Sequence, residues 1–120
     1  MSAPEPTADF YPTGGAIPFE ATTAARVLGY ESAMLLESAR ERIRMGAGER
    51  RHRVEALIRA GDTLIAARCG SVVFFFLESL YLGLEDNTAA RDLRAAIPAT
   101  WHKLYSDNAP HIAASRGYRV

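Results

Sequence analysis

A chain of 120 residues has room for one hydrophobic core, and an apolar fraction of 48% supplies the material for it. With 14 basic residues against 14 acidic ones the formal net charge is zero, which excludes a chain held open by self-repulsion and offers nucleic acid no global field, while permitting self-association. The single cysteine, Cys69, excludes an internal disulfide and points to a reducing, cytoplasmic setting.

Residues 1–20 interleave Pro4, Pro6, Pro12, Gly14, Gly15 and Pro18 with Phe10, Tyr11, Ile17 and Phe19. The segment lacks the basic start and apolar stretch of a secretory signal. It reads as an irregular arm whose aromatics, Phe10 and Tyr11 in particular, dock on the domain surface; the alternative is a disordered leader.

A helix is expected from Thr22 or Thr23, either one a suitable N-cap, to Met45, with Ala24, Leu28, Leu35, Ala39 and Ile43 on its dry face. A second stripe, Val27, Tyr30 and Met34, makes its apolar surface broader than one neighbouring helix requires. Gly46-Ala47-Gly48 reads as the stop. The next helix runs from Glu49 to about Arg68 on Val54, Leu57, Ile58, Gly61, Leu64 and Ile65, antiparallel to the first across a short turn. Gly61 costs about 1 kcal/mol relative to alanine inside a helix, which a close approach by a neighbour would offset.

Cys69-Gly70-Ser71 reads as a cap between helices, opening a third from Val72 to about Leu84 on Val73, Phe76, Leu77, Leu80, Tyr81 and Leu84. The run Val72 to Leu77 is far short of the roughly 20 apolar residues that span a bilayer, so no membrane anchor is expected. Its β-branched and aromatic content also allows a buried strand, although no second strand candidate exists to pair with it. After Asp86-Asn87-Thr88, the residues Leu93, Ile97, Trp101 and Leu104 mark a fourth helix, which Pro98 should kink or restart. Residues 107–120 lose the periodicity and read as a loosely attached tail. The fold expected is all-α: an antiparallel up-and-down four-helix bundle over 21–106, between the arm and the tail.

Chemistry is sparse. His52, His102 and His111 are scattered, without the spacing that puts two metal ligands on one helical face. His102 with Asp107, or His52 with Glu49, reads as a surface histidine beside a passing carboxylate. Cys69 next to Arg68 has no base nearby in sequence, and no Gly-x-x-x-x-Gly-Lys-[Ser/Thr] loop is present. No enzyme activity, metal or cofactor is expected. Arg40, Arg42, Arg44, Arg50, Arg51, His52 and Arg53 cluster between the first two helices. Arg44, Arg50, Arg51 and Arg53 are the candidate patch for an anionic partner. The simpler reading is that these cations complement a helix C-terminus and solvate an exposed turn, since no aromatics are interleaved to stack on bases.

The apolar excess says more. Val72, Phe74, Phe75 and Leu82 fall off the core face of the third helix, and Val27, Tyr30 and Met34 widen the first. Such surface marks a polypeptide-binding site, with Val27, Tyr30, Met34, Val72, Phe74 and Phe75 as the contact residues; the alternative is a compact core that uses both faces.

Within this frame Leu28 to Arg68 resembles the first helical hairpin of the flagellin export chaperone (FliS) family. The residues that carry the likeness are Leu28-Gly29-Tyr30, Ala39 with Ile43, Gly46, Glu49-Arg50-Arg51, and Leu57-Ile58-Arg59-Ala60 with Leu64-Ile65, joined by Tyr11 in the arm and Trp101 late in the last helix. Gly29 stands where the family has tyrosine. The resemblance implies a cytosolic chaperone that grips a helical segment of an assembling subunit, such as flagellin, in a hydrophobic groove. A homo-oligomeric structural or regulatory bundle, a homodimer for instance, is the alternative.

Overall fold

Between Pro18 and Pro98 no proline interrupts the chain, and apolar side chains spaced by three and four can be buried together only if that stretch folds as amphipathic helices. The computed structural model of the protein describes residues 19–68 and 71–115, and over these the chain is helical with no strand. The elements are α1 (Phe19–Ala39), α2 (Ala47–Ala66), α3 (Ser71–Glu85), α4 (Arg91–Ala96) and α5 (Ala99–Ser115). Val72 to Leu77 lies inside α3, so the strand alternative fails. Phe10 and Tyr11 of the arm, the pair Cys69-Gly70 and residues 116–120 lie outside the described residues.

The helix ends depart from the sequence expectation for local reasons. α1 begins at Phe19, which places Thr22 and Thr23 inside the helix instead of at its cap. It stops at Ala39, not Met45, because Glu41 adopts a left-handed conformation (φ 63). The Glu41 amide then donates to Ser38 O at 3.1 Å and the Arg42 amide to Glu37 O at 3.1 Å, the paired bonds of a Schellman turn. Ile43, expected in the core, therefore falls in the connection and is exposed. Gly46 is the N-cap of α2, and Ala47 and Gly48 form its first turn.

Pro98 splits the fourth expected helix in two. Ile97 is extended (φ −66, ψ 126), as a residue before proline must be, and the Pro98 carbonyl accepts the Trp101 amide at 3.0 Å to open α5. α5 then continues to Ser115, through the segment expected to be a loose tail.

Contacts fix how the helices lie. α1 and α2 are antiparallel, with Arg53 on Glu31 and Arg50 on Leu35. α1 and α3 run parallel and side by side, since Thr22 and Gly29 share a groove with Val72 and Ser79 while Leu36 meets Gly83 and Asn87. α3 and α5 are antiparallel, with Tyr81 on His102 and Tyr105. α2 follows α4 and α5 in parallel, from Arg50 against Asp92 to Gly61 against Trp101. Leu28, Leu35, Leu57, Leu77, Leu80, Leu93 and Trp101 are sealed between them.

Candidate functional site

Around the axis of α1, residues two apart point about 200° from one another. Leu28 and Leu35 take the inward direction, so one flank of α1 turns to α2 and the other to α3. On the α3 flank the side chains are small, Ala25 and Gly29, and the two helices leave a groove of ≈ 420 Å³ between them. Val72, Phe75, Phe76 and Ser79 form its other wall, and among the described residues Arg26 is the only charged side chain that lines it. Phe75 is 62% exposed and Leu82, seven residues on, is 53% exposed.

The candidate contact residues are thus divided. Val72 and Phe75 stand at this groove. Val27 lies on the opposite flank of α1, in a separate depression of ≈ 460 Å³ shared with His52, Arg53 and Ala60 of α2. Tyr30 is exposed and Met34 half-buried, and neither lines the α1/α3 groove. Phe74 corrects the sequence reading outright: it is fully buried. The reason is that α3 is packed on two sides, by α1 and by α5. With Tyr81 against Tyr105 in an antiparallel pair, Phe74 falls level with the part of α5 beyond Ser106, a part the sequence had assigned to a tail.

The arginine cluster is largely engaged inside the molecule. Arg50 donates to both carboxylate oxygens of Asp92, to Ser38 Oγ and, at 2.6 Å, to the Leu35 carbonyl in the last turn of α1. The hydrogen bond from Arg50 holds the Asp92 carboxyl below its ordinary pKa, against the opposing effect of partial burial. Arg53 pairs with Glu49 at 3.1 Å and Glu31 at 3.2 Å, and these bonds raise its pKa. Arg40 donates to the Asp86 carbonyl at 3.0 Å. Arg44 and Arg51 are exposed and form no ion pair among the described residues. Two of the four candidate anion-binding residues therefore serve to tie helices together.

One polar constellation had no signal in the sequence because its members are far apart in it. Tyr81 Oη and His102 Nδ1 are 2.8 Å apart, a hydrogen bond whose donor follows the imidazole tautomer, and the Tyr81 ring stacks on Tyr105 at 4.6 Å. Burial, with Tyr105 adding to it, pushes the Tyr81 phenol up to about 12, and burial also raises Tyr105. A phenol held protonated this firmly is a poor base at neutral pH. The cluster clasps α3 to α5. His102 does not meet Asp107, which pairs with Lys103 at 3.0 Å.

Among the described residues no group of three or more His, Cys, Asp or Glu side chains is placed to hold a metal ion, and no helix is long and apolar enough to cross a membrane. The groove residues that sequence reasoning missed, Ala25, Arg26, Gly29 and Ser79, carry one weak signal: Gly29 sits inside a helix with no packing reason visible in sequence. Compared with family models, with curated proteins and with solved structures, the chain matches none.

Proposed function

We propose that this chain is a protein-binding helical module of chaperone type, which receives a helical segment of another polypeptide in the groove between α1 and α3. The observation that carries the reading is the groove itself, mainly apolar, with Thr22, Ser79 and Arg26 as its polar lining among the described residues, and flanked by an aromatic ring that is 62% exposed. A large apolar side chain held in water beside an apolar channel is the usual mark of a surface that another chain covers. The architecture fits the role when α4 and α5, bent at Pro98, are taken together as a fourth rod, since the side-by-side α1 and α3 of such a frame leave an interhelical groove between them. The resemblance of Leu28 to Arg68 to the flagellin export chaperones supplies the client class: an amphipathic segment of a subunit that must be kept from assembling in the cytoplasm.

The test is an anisotropy titration with a labelled peptide from the helical C-terminal segment of flagellin. Saturable one-to-one binding is expected, and Phe75→Asp should abolish it while leaving the helical circular dichroism unchanged. Binding that Phe75→Asp leaves intact, or no binding to the native chain, refutes the proposal.

A further inference from the structure

A proline stands inside α5. Pro110 brings no amide hydrogen, so the bond that residue 110 would give the Ser106 carbonyl is missing from the helix that runs from Ala99 to Ser115. Asn108, between the two, adds a second local weakness. It is fully buried, its Nδ2 donates to Leu104 O at 2.9 Å within its own helix, and its Oδ1 is buried without a hydrogen-bond donor. An acceptor that has given up water and found no donor opposes the packing that buries it.

Both weaknesses fall in the same part of α5, and one movement relieves both. If the helix beyond Ser106 swings away from α3, water reaches Asn108 Oδ1 and the Ser106 carbonyl, and a proline is where a helix bends most readily. The clasp of Tyr81 with His102 and Tyr105 lies before the break, so it keeps the first half of α5 on α3 while the end moves. The surface left behind is apolar. Phe74, level with that end, is fully buried, and Phe75, the next residue, already stands at the surface by the groove. Successive side chains on a helix point about 100° apart, so opening joins Phe74 to the face that Phe75 presents.

From these features we infer that the end of α5, from Asp107 to Ser115, is a latch hinged between Ser106 and Pro110, which closes over Phe74 and opens as a unit while the rest of the bundle stays folded. The open state is a minor one, roughly 0.1–10% of molecules, and far commoner than global unfolding. The latch sets how much of the apolar surface of α3 the protein shows. It operates without a client, so it stands apart from the reading of the α1/α3 groove given above.

Amide hydrogen exchange of the full native chain, followed residue by residue by NMR, reads the latch directly. The amides of residues 107–109 and 111–113 should share one protection factor, roughly 10–1000, with a step to much higher values at His102 to Tyr105 and at Leu77 and Leu80. Asn108→Leu removes the orphaned acceptor and Pro110→Ala restores the missing donor. Each should slow exchange of the remaining latch amides about tenfold or more. A smooth decline in protection from Tyr105 to the end would be ordinary fraying and overturns the inference. So does protection beyond Ser106 equal to that of Leu77 and Leu80, or the failure of either variant to slow the latch amides. The peptide titration addresses a different face of α3 and decides the client-binding proposal separately.

Discussion

Gly29, Gly61 and Gly83 all lie inside helices, and their surroundings separate them. At Gly61 a Cβ would overlap the Trp101 ring, and at Gly83 it would overlap Leu36, so each of these glycines lets a neighbouring helix in. Trp101 is pinned over Gly61 by the bond from its indole Nε1–H to Asp62 Oδ1 at 2.6 Å, and the Phe76 ring meets it edge-on at 6.0 Å. Gly61→Ala should therefore destabilise the protein by about 1–3 kcal/mol in urea unfolding, because overpacking exceeds the roughly 1 kcal/mol that alanine gains as a helix former. A stabilised Gly61→Ala would show that Trp101 does not sit where the structure puts it. Asn87 is the polar counterpart of these packing residues. Buried to 3%, it donates through Nδ2 to Leu36 O at 2.6 Å and accepts the Ala89 amide at 3.2 Å, which bends the chain out of α3 while closing the end of α1.

At the scale of elements, the helix C-termini are closed by side chains from remote segments. The last turn of α1 receives Arg50 and Asn87, and the end of α3 receives Arg94, whose Nη2 donates to Leu84 O at 2.8 Å. Cations at a C-terminus also oppose the partial negative charge of the helix dipole. The Arg50–Asp92 pair binds α2 to α4, and its pH dependence has a definite sign. Asp92 has a lowered pKa in the folded protein, so its contribution is present above the unfolded carboxyl value near about 4 and is lost as pH falls through the folded value. Asp92 is half exposed, which keeps the contribution within about 1 kcal/mol. Urea midpoints measured from pH 7 down to pH 3 should fall more steeply below pH 4 for the native chain than for Asp92→Asn, and equal slopes would remove the pair from the stability account.

At the scale of the molecule, the last helix decides how much of α3 is core. The part of α5 beyond Ser106 lies level with Phe74, and Asn108 within it is fully buried, its Nδ2 donating to Leu104 O at 2.9 Å. Ending the chain at Ser106 should uncover Phe74 and cost about 2–3 kcal/mol, with a rise in binding of an apolar fluorescent dye as the second readout. An unchanged urea midpoint would mean that this segment is as loosely attached as its lost periodicity suggests.

The periodicity of the sequence by itself determined the all-helical class and most of the core. Leu28, Leu35, Val54, Leu57, Leu64, Val73, Phe76, Leu77, Leu80, Leu84, Leu93, Ile97 and Trp101 are buried as their spacing implies, because an amphipathic helix has only one face to hide. The close approach at Gly61 was legible for the same reason. The helix ends were not, since Glu41 turns left-handed at a position where glycine would be expected and remote side chains close the last turns. Nor was the candidate site: a spacing rule says which side chains share a stripe, but not which neighbour that stripe meets. Only the packing of α3 between α1 and α5 decided that Phe74 is core while Phe75, the next residue, remains at the surface.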